Sequence, residues 1–370
     1  MDLLKELQGL KEYDVISDLN RETLPLVMWG AGSSAPEVNY YLRESGIMIS
    51  DVFVDDEYYT QGLMFDGKPV LSYSVLKDKY DKVNIILGNS SYEKKELLEK
   101  RECINQVYCL FSVSYNVFDK TPLSEIEQHV SEFESVYELL EDDKSRNNLL
   151  AFLKTRIAGN NQYIMDVFEQ EATFFRNEIF QIDENEIYLD VGAFDGDTIR
   201  LFLEENSGNY EYIYAVEPDD ENYRRLEGYI KEKQLKNIEI SKIGAWNAEE
   251  KLYFSSTEDQ VSGVITEECA VSNMKISYIE AVPLDKMFVY SRQITLLKIN
   301  YFEGVKEAIE GAAGILRKHA PKLVITVGFD CRNIRCIPAL IKSINPKYKI
   351  YFRFNKGMAS AFTLYGIIPE

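Results

Sequence analysis

Short apolar runs alternate with amphipathic segments through the first part of the chain. A helical pattern covers the residues up to about position 23, and three buried strands are predicted after it: Leu24–Trp29, Ile49–Val54 and Val83–Leu87. Glycine or aspartate follows each run, as expected where a strand ends in a turn. Because strands that alternate with helices are typical of a parallel sheet, we predict a Rossmann-like α/β domain over residues 1–115.

From about Ser124 to Ile182 the apolar positions follow a helical spacing instead. Phe133, Val136 and Leu140 fall on one face, and glutamates mark the solvated face. This is the pattern of amphipathic helices that bury one side. We therefore predict a helical connector over residues 116–182 that packs onto a second domain.

Strand-like runs return beyond Glu186 and continue almost to the end of the chain. In order they are Ile187–Asp190, Tyr212–Val216, Ile238–Ser241, Leu252–Phe254, Ile294–Ile299, Lys322–Val327, Lys349–Phe352 and Phe362–Tyr365. Helical patterns separate most of them, and Arg332–Ser343 is the last predicted helix. Only a loop joins the final two strands, so they are expected to form an antiparallel hairpin. Residues 183–370 are thus predicted to form a second Rossmann-like α/β domain.

The composition is that of a folded protein of two domains. The chain has 370 residues, 45% of them hydrophobic, and a formal net charge of -20. An acidic surface repels phosphate groups, so we expect neither nucleic acid nor an anionic membrane as a partner. No apolar run approaches the roughly 20 residues that cross a membrane, and the N-terminus lacks the pattern of a signal peptide. We expect a cytoplasmic protein, and the sequence is compatible with an oligomer.

Cysteine and histidine are too few and too scattered for several kinds of site. The five cysteines form no Cys-x-x-Cys pair. They favour free thiols in a reducing compartment over disulfides or a zinc site. Only two histidines are present, His129 and His319. These leave almost nothing for a multi-histidine metal site or a Ser-His-Asp triad, so we predict no metal.

The segment Tyr188–Thr198, YLDVGAFDGDT, has the pattern of a strand, a glycine turn and a helix start. Asp190 ends the strand, and Gly192 and Gly196 lie in the turn. Glycine lets a backbone pass close beneath a nucleoside, because it has no Cβ. In open α/β sheets, ligands bind outside the carboxyl ends of the strands at a switch point. The segment therefore predicts a nucleoside-binding turn.

A second acid, Glu217, follows the next predicted strand, and Pro218 ends that strand. An acid at this place can accept hydrogen bonds from both hydroxyls of a ribose. The alternative is that Asp190 and Glu217 only cap and solvate the crevice. The glycine turn and the acid together, each at a strand end, favour the nucleoside site.

Residues from about 170 to 370 resemble the FkbM family of methyltransferases. The matching segments are Asp190–Thr198, Val216–Pro218, Val282–Asp285, Leu296–Ile299, Gly311–Ala312, Pro321–Val324 and Tyr348–Arg353. The resemblance implies a class I methyltransferase fold that uses S-adenosylmethionine, and many members methylate hydroxyls of sugars or natural products. It implies cofactor contacts at Asp190, Gly192, Ala193, Asp195, Gly196, Asp197, Thr198, Glu217, Pro218 and Ala245.

The chain departs from the family after the strand that carries Lys298. The family pattern Lys-x-Asp-x-Glu-Gly-x-Glu is replaced by KINYFEGV, so that Asn300 stands where the family has aspartate. The family's later histidine is also missing, and Asp330 is a candidate substitute. An amide can orient a hydroxyl by hydrogen bonding but cannot take its proton. The catalytic candidates are Lys298, Asn300 and Asp330.

The first domain has a similar turn, Gly30–Ala35, between a predicted strand and a helix. Gly30, Gly32 and Ser33 are in the context that a phosphate-binding turn requires, and Asp55 follows the next strand. This region resembles the small Rossmann-like domain of bacterial sugar-modifying acyltransferases, which implies a nucleotide-sugar ligand. The segments that carry the resemblance are Val52–Asp56 and Phe65–Leu71. A module that docks onto the other domain without a ligand is an equal alternative.

Two functions from different classes follow from these features. The first is an S-adenosylmethionine-dependent O-methyltransferase that acts on a hydroxyl of a sugar or a glycan precursor. The second is a catalytically degenerate relative that binds a nucleotide or nucleotide-sugar and transfers nothing. A weaker third, an NAD-dependent oxidoreductase through the Gly30 turn, has no obvious hydride-transfer partner. Asn300 is the feature that separates the first two.

Overall fold

The computed structural model describes residues 3–32, 34–89, 94–110, 120–169, 171–256, 262–264, 275–287, 292–301, 304–328, 330–355 and 362–369. The chain divides into two compact units. The N-terminal unit comprises Asp2–His129 and Leu150–Phe168, and the C-terminal unit comprises Val130–Leu149 and Glu169–Glu370. The residues predicted as a connector are thus divided between the units, and the limits at 115 and 182 stay predictions.

The N-terminal unit is built on five parallel strands. They are β1 (Leu26–Trp29), β2 (Asp51–Val54), β5 (Leu71–Ser72), β6 (Val83–Leu87) and β7 (Ile104–Tyr108), and an antiparallel pair consists of β3 (Met64–Phe65) and β4 (Lys68–Pro69). The sheet order is β5-β2-β1-β6-β7. The helices are α1 (Leu3–Leu7), α2 (Val15–Leu19), α3 (Ala35–Glu44), α4 (Tyr73–Lys79), α5 (Lys95–Glu99), α6 (Leu123–Gln128) and α9 (Gln162–Met165), with a 3₁₀ turn at Asp56–Tyr58.

The C-terminal unit is built on seven strands. They are β8 (Ile187–Val191), β9 (Tyr212–Val216), β10 (Ile238–Ser241), β15 (Leu296–Ile299), β16 (Lys322–Gly328), β17 (Lys349–Arg353) and β18 (Phe362–Ile367), in the order β10-β9-β8-β15-β16-β18-β17. A smaller sheet contains β11 (Gly244–Ala245), β12 (Glu250–Ser256), β13 (Ser262–Val264) and β14 (Lys275–Val282), in the order β11-β14-β12-β13. The helices are α7 (Val130–Leu139), α10 (Asp197–Glu205), α11 (Asp220–Lys233), α12 (Leu284–Met287), α13 (Val305–Gly311), α14 (Ala313–Lys318) and α15 (Cys331–Ile344).

One helix, α8 (Asp143–Ala158), contains the division between the units at Leu149 and Leu150. With 16 residues it is the longest helix in the described ranges. Over those ranges, no helix combines the length and the apolar character needed to cross a membrane.

The predicted parallel sheets and the terminal hairpin are both confirmed. Strands β8, β9, β10, β15 and β16 pair in parallel, whereas β18 is antiparallel to both β16 and β17. The central strands β1, β6, β8 and β15 are buried along their whole length. Continuous burial is typical of parallel strands that are covered on both faces, which is why their apolar runs were recognisable.

Two predicted helical regions are wrong in extent. Residues 3–23 form two short helices, because Gly9 adopts a φ of +73° and Asp14 starts α2 by accepting N–H bonds from Ile16 and Ser17. Between α9 and β8 the described residues form turns and no helix. There Thr173 and Asn177 accept hydrogen bonds from backbone N–H groups two and three residues further on. Such local side-chain bonds compete with a helix.

A buried arginine joins the start of α8 to the terminal hairpin within the C-terminal unit. The guanidinium of Arg353 donates to Asp142 at 2.6 Å, Ser145 at 2.7 Å and Glu178 at 2.9 Å. A planar group with five donors suits several acceptors at once. The pKa of Asp142 is lowered to about 2; burial acts to raise it but is outweighed by the hydrogen bonds from Arg353 and Ser145.

Candidate cofactor site

The predicted nucleoside turn lies at the switch point of the seven-stranded sheet. From β8 the chain continues outward through β9 and β10, whereas β15 and β16 lie on the other side of β8. The register places Asp190 of β8 beside Lys298 of β15. The turn after β8 and the residues after β15 therefore share the carboxyl edge of the sheet, where ligands of such folds bind.

Beneath this turn lies a fully buried ion pair. Lys298 Nζ donates to Asp190 Oδ1 at 2.7 Å and to the carbonyl oxygen of Gly192 at 2.8 Å. Thr198 Oγ1 donates to Asp190 Oδ2 at 2.7 Å. The side chains of Lys298 and Asp190 are 1% and 0% exposed. This geometry assigns all three residues to holding the turn in place, including Lys298, which the sequence suggested as a catalytic candidate.

The two glycines of the turn are required by the protein's own packing. Gly192 has a φ of +75°, and a Cβ on it would overlap the carbonyl oxygen of Asn300. Gly196 has a φ of +89°, and its Cβ would lie 3.1 Å from the side chains of Leu226 and Tyr229. The sequence argument attributed these glycines to the approach of a nucleoside. The structure gives a different reason, and the glycines by themselves are therefore weaker evidence for a ligand.

Aromatic packing fixes the elements on both sides of the turn. The rings of Tyr188 in β8 and Phe202 in α10 have centroids 4.7 Å apart. Phe175 packs edge-on against both, at 5.6 Å. The N–H groups of Gly192 and Ala193 donate to the carbonyl oxygen of Val216. The turn is thus tied to the end of β9, where the second acid lies.

The side chain of Glu217 is directed towards this turn. Its Oε2 accepts the N–H of Phe194, and its Oε1 accepts the N–H of Asp219, both at 2.9 Å. A carboxylate oxygen can accept more than one hydrogen bond, so both oxygens keep capacity for hydroxyl donors. The residue is only 4% exposed. Its orientation is therefore set by the backbone before any ligand arrives.

Burial also changes the acidity of this site. It raises the pKa of Glu217 to about 7, against the opposing effect of the N–H bonds from Asp219 and Phe194. Burial likewise raises the pKa of Asp197, and the nearby Lys298 ammonium partly offsets that rise. Two carboxyl groups near one turn thus resist ionisation.

The other predicted cofactor residues differ in their contacts and burial. Asp195 forms an ion pair with Arg200 at 2.6 Å, and the guanidinium lies 5.0 Å from the Tyr229 ring centroid. Ala193 and Pro218 are buried. The N–H of Ala245 donates to the hydroxyl of Tyr301 at 3.2 Å.

Tyr301 is a site residue that sequence reasoning missed. Its ring would lie 3.0 Å from a Cβ on Gly192, and its hydroxyl reaches Ala245 in the smaller sheet. Burial raises the pKa of this phenol. An aromatic residue two positions after a strand at the switch point was the available signal. Tyr301 therefore connects the turn, the end of β15 and the end of β11.

The remaining catalytic candidates lie at the same sheet edge but on different strands. Asn300 directly follows β15, and its N–H donates to the carbonyl oxygen of Val191 at 3.0 Å. Asp330 follows β16 and caps α15, where its side chain accepts the N–H of Arg332. Asn300 therefore borders the turn, whereas Asp330 has a structural role as a helix cap. In the described part of the chain, no three acidic, cysteine or histidine side chains form a group that could hold a metal.

The second predicted turn lies in the N-terminal unit. Gly30 has a φ of +99° and donates its N–H to the carbonyl oxygen of Phe53. Gly32 has no atom within 4 Å of a Cβ built on it, and Ser33 lies outside the described residues. Asp55 forms an ion pair with Arg101. Gly30 and Asp55 thus lie at the carboxyl ends of neighbouring strands, β1 and β2.

Solved structures are similar to this chain in fold. An FkbM methyltransferase from Methylobacillus flagellatus KT matches over 98% of both chains, with a TM-score of 0.69 and 17% sequence identity. An rRNA methylase from Streptococcus thermophilus covers 51% of this chain and 90% of its own, at 13% identity and a TM-score of 0.32. Fibrillarin from Aeropyrum pernix, with natively bound S-adenosyl-L-methionine, covers 51% and 70%, at 11% identity and a TM-score of 0.30. No protein-family model and no curated protein matches the sequence.

The similarity to the FkbM methyltransferase structure shows the fold of this chain, whereas the TM-scores of the other two structures are too low to show it. The chain has the fold of a methyltransferase, and the predicted fold class is confirmed. The resemblance of the N-terminal domain to sugar acyltransferases stays a prediction.

Replacing Gly192 with alanine should destabilise the turn strongly, because the new Cβ would overlap the Asn300 carbonyl oxygen. Gly208→Ala is the matched control, since Gly208 has a φ of +78° but no atom within 4 Å of its Cβ position. We expect about 1–2 kcal/mol of destabilisation for the control and roughly 3 kcal/mol or more for Gly192→Ala. Urea unfolding followed by circular dichroism measures both, and equal losses would contradict this packing argument.

The ionisation of Glu217 should make the stability of the ligand-free protein depend on pH. A carboxyl whose pKa is higher in the folded protein contributes stability below its unfolded pKa, and this is lost as pH rises through about 7. Relative to Glu217→Ala, the wild type should therefore lose roughly 3 kcal/mol between pH 4.5 and pH 8. Unfolding midpoints of both proteins across this range provide the test. A difference that does not change with pH would show that the pKa of Glu217 is not raised in the folded protein.

Proposed function

We propose that this protein is an S-adenosylmethionine-dependent O-methyltransferase that acts on a hydroxyl of a sugar or a glycan precursor. The observation that carries the proposal is Glu217, a buried acid at the switch point whose two oxygens are oriented by the N–H groups of Phe194 and Asp219. The methyltransferase fold of the chain supports it. The acceptor class follows from the family resemblance of the sequence.

The residues present fit the adenosyl cofactor at its ribose. Glu217 is preorganised as a double acceptor, which is the chemistry that a pair of ribose hydroxyls needs. The buried Lys298 neutralises Asp190. We therefore assign the ribose to Glu217.

S-adenosylmethionine, when bound, supplies a methyl group on a sulfonium, and this leaving group departs as a neutral thioether. The chain's contribution is then to place an acceptor oxygen in line with that methyl and to receive the hydroxyl proton. Positioning alone can supply about 7–11 kcal/mol of a barrier. Asn300 borders the turn and can hold a hydroxyl by hydrogen bonding, but the proton must leave by way of solvent or another group.

The amide side chain of Asn300 favours a second candidate function. General base catalysis contributes a factor of about 10²–10⁴, and Asn300 cannot supply it. A chain that keeps the cofactor turn and lacks the base could serve as a binding protein for the cofactor or for a nucleotide-sugar. The position of Asp330 also favours this alternative, because its carboxylate caps α15 by accepting the N–H of Arg332.

Cofactor binding should raise the melting temperature through Glu217. S-adenosylhomocysteine at about 100 times its dissociation constant should add about 2.7 kcal/mol of stability to the wild type. Glu217→Ala should abolish this gain, whereas Glu221→Ala, on exposed α11 surface, should keep it. Thermal unfolding with and without the ligand measures each case. No gain in the wild type with either S-adenosylmethionine or S-adenosylhomocysteine would exclude a cofactor-based function.

Asn300→Asp should separate the two candidate functions. If the wild type transfers methyl groups without a base, the new carboxylate should raise the rate by roughly tenfold to a hundredfold, and more as pH increases. The control is Asn209→Asp, which adds the same charge in an exposed loop. Transfer of labelled methyl from S-adenosylmethionine to a panel of sugars and nucleotide-sugars is the measurement. Cofactor binding without transfer by the wild type or the variant would support the binding protein.

A further inference from the structure

Tyr301 lies among three of the residues at which the family resemblance implies cofactor contacts. Two of its ring carbons would be 3.0 and 3.1 Å from a Cβ on Gly192, and its hydroxyl accepts the N–H of Ala245 at 3.2 Å. The third residue is Glu217, whose charge adds to the effect of burial in raising the pKa of the Tyr301 phenol. A single side chain of the protein is thus placed where a ligand of these three residues would lie.

The ring of Tyr301 covers the surface that Gly192 leaves open at the turn. Gly192 has a φ of +75° and no Cβ, so that another group can approach its backbone closely. The sequence argument expected a nucleoside in this position. In the structure an aromatic ring of the chain makes that close approach.

The phenol of Tyr301 also has the hydrogen-bonding character of a nucleoside base. It is an aromatic ring with an oxygen at its edge that accepts a hydrogen bond. A purine is likewise an aromatic ring with acceptor atoms at its edge, such as N7 of adenine. Ala245 is only 2% exposed, and a buried N–H group is rarely left without an acceptor. The Tyr301 hydroxyl and a bound base are therefore alternative partners for the N–H of Ala245.

The burial of Glu217 agrees with a covering side chain. Only 4% of this residue is exposed, and burial raises the pKa of its carboxyl to about 7. Of the charged groups that act on it, Asp219 raises this pKa further and Lys298 lowers it. Ribose hydroxyls cannot reach a carboxylate that protein atoms cover. A side chain must move before a ribose binds, and the half-buried Tyr301, two residues after β15, is placed to do so.

We propose that Tyr301 occupies the place of the adenosyl group and has to leave it before a ligand can bind to Glu217. The ring and the ligand compete for the N–H of Ala245 and for the open surface of Gly192. The apparent affinity for the ligand is therefore reduced by the fraction of molecules in which the ring is in place. This inference rests on the proposed cofactor at Glu217 and makes Tyr301 the residue that controls access to it.

Isothermal titration of the full-length protein with S-adenosylhomocysteine tests this competition. Tyr301→Ala removes the ring and should bind the ligand at least about tenfold more tightly than the wild type. Tyr301→Phe keeps the ring but loses the hydrogen bond to Ala245, so it should tighten binding about threefold to tenfold and tests the proposal even if Tyr301→Ala unfolds. Tyr278→Ala, at a tyrosine of the smaller sheet that is 64% exposed, is the control and should bind as the wild type does. Equal affinities of the wild type and both Tyr301 variants would overturn the proposal.

A measurement without any ligand separates this inference from the cofactor function. If the ring covers Glu217, Tyr301→Ala admits water to the carboxylate and lowers its pKa towards the ordinary value. In an NMR titration, assigned with Glu217→Gln, the Glu217 carboxyl of Tyr301→Ala should titrate about 1 pH unit or more below that of the wild type. An unchanged titration would overturn the proposal. A lowered titration without S-adenosylhomocysteine binding by any of these proteins would uphold Tyr301 as the covering residue and contradict the cofactor function.

Discussion

The buried pair of Lys298 and Asp190 is the interaction on which the turn after β8 depends. Removing two charges from water costs several kcal/mol per ion, and only good geometry with further hydrogen bonds offsets this. Here Asp190 also accepts from Thr198, and Lys298 also donates to the carbonyl of Gly192. One ion pair thus joins β8, β15, the turn and the start of α10. The buried charges of Lys298 and Asp190 thus fix the backbone conformation of the turn after β8.

The conformation of this turn gives Asp190 and Glu217 different roles. Asp190 is fully buried and accepts hydrogen bonds from Lys298 and Thr198, so it holds the turn in place. Glu217 is oriented by backbone N–H groups and stays able to accept more. At the N-terminal sheet edge, Asp55 is paired with a cation as Asp190 is, in this case Arg101.

Much of the fold was predictable because buried parallel strands leave continuous apolar runs. Val83–Leu87 and Ile238–Ser241 begin and end where the sequence predicted them. Strands with exposed positions were missed. The edge strand β7 has exposed positions inside it, and β14, an inner strand of the smaller sheet, alternates between buried and exposed residues. The helical prediction failed where Gly9, Thr173 and Asn177 favour turns over helix.

The sequence by itself determined the fold class, the place of the turn and the acid at Glu217, because these depend on local periodicity and on residues at strand ends. Only the tertiary structure decided what each group does. It paired Lys298 with Asp190, packed Tyr301 against Gly192 and assigned Asp330 to a helix cap. Residues more than a hundred positions apart meet only when strand order brings them together. A linear pattern does not contain that order, and therefore it could not separate supporting residues from those that face a ligand.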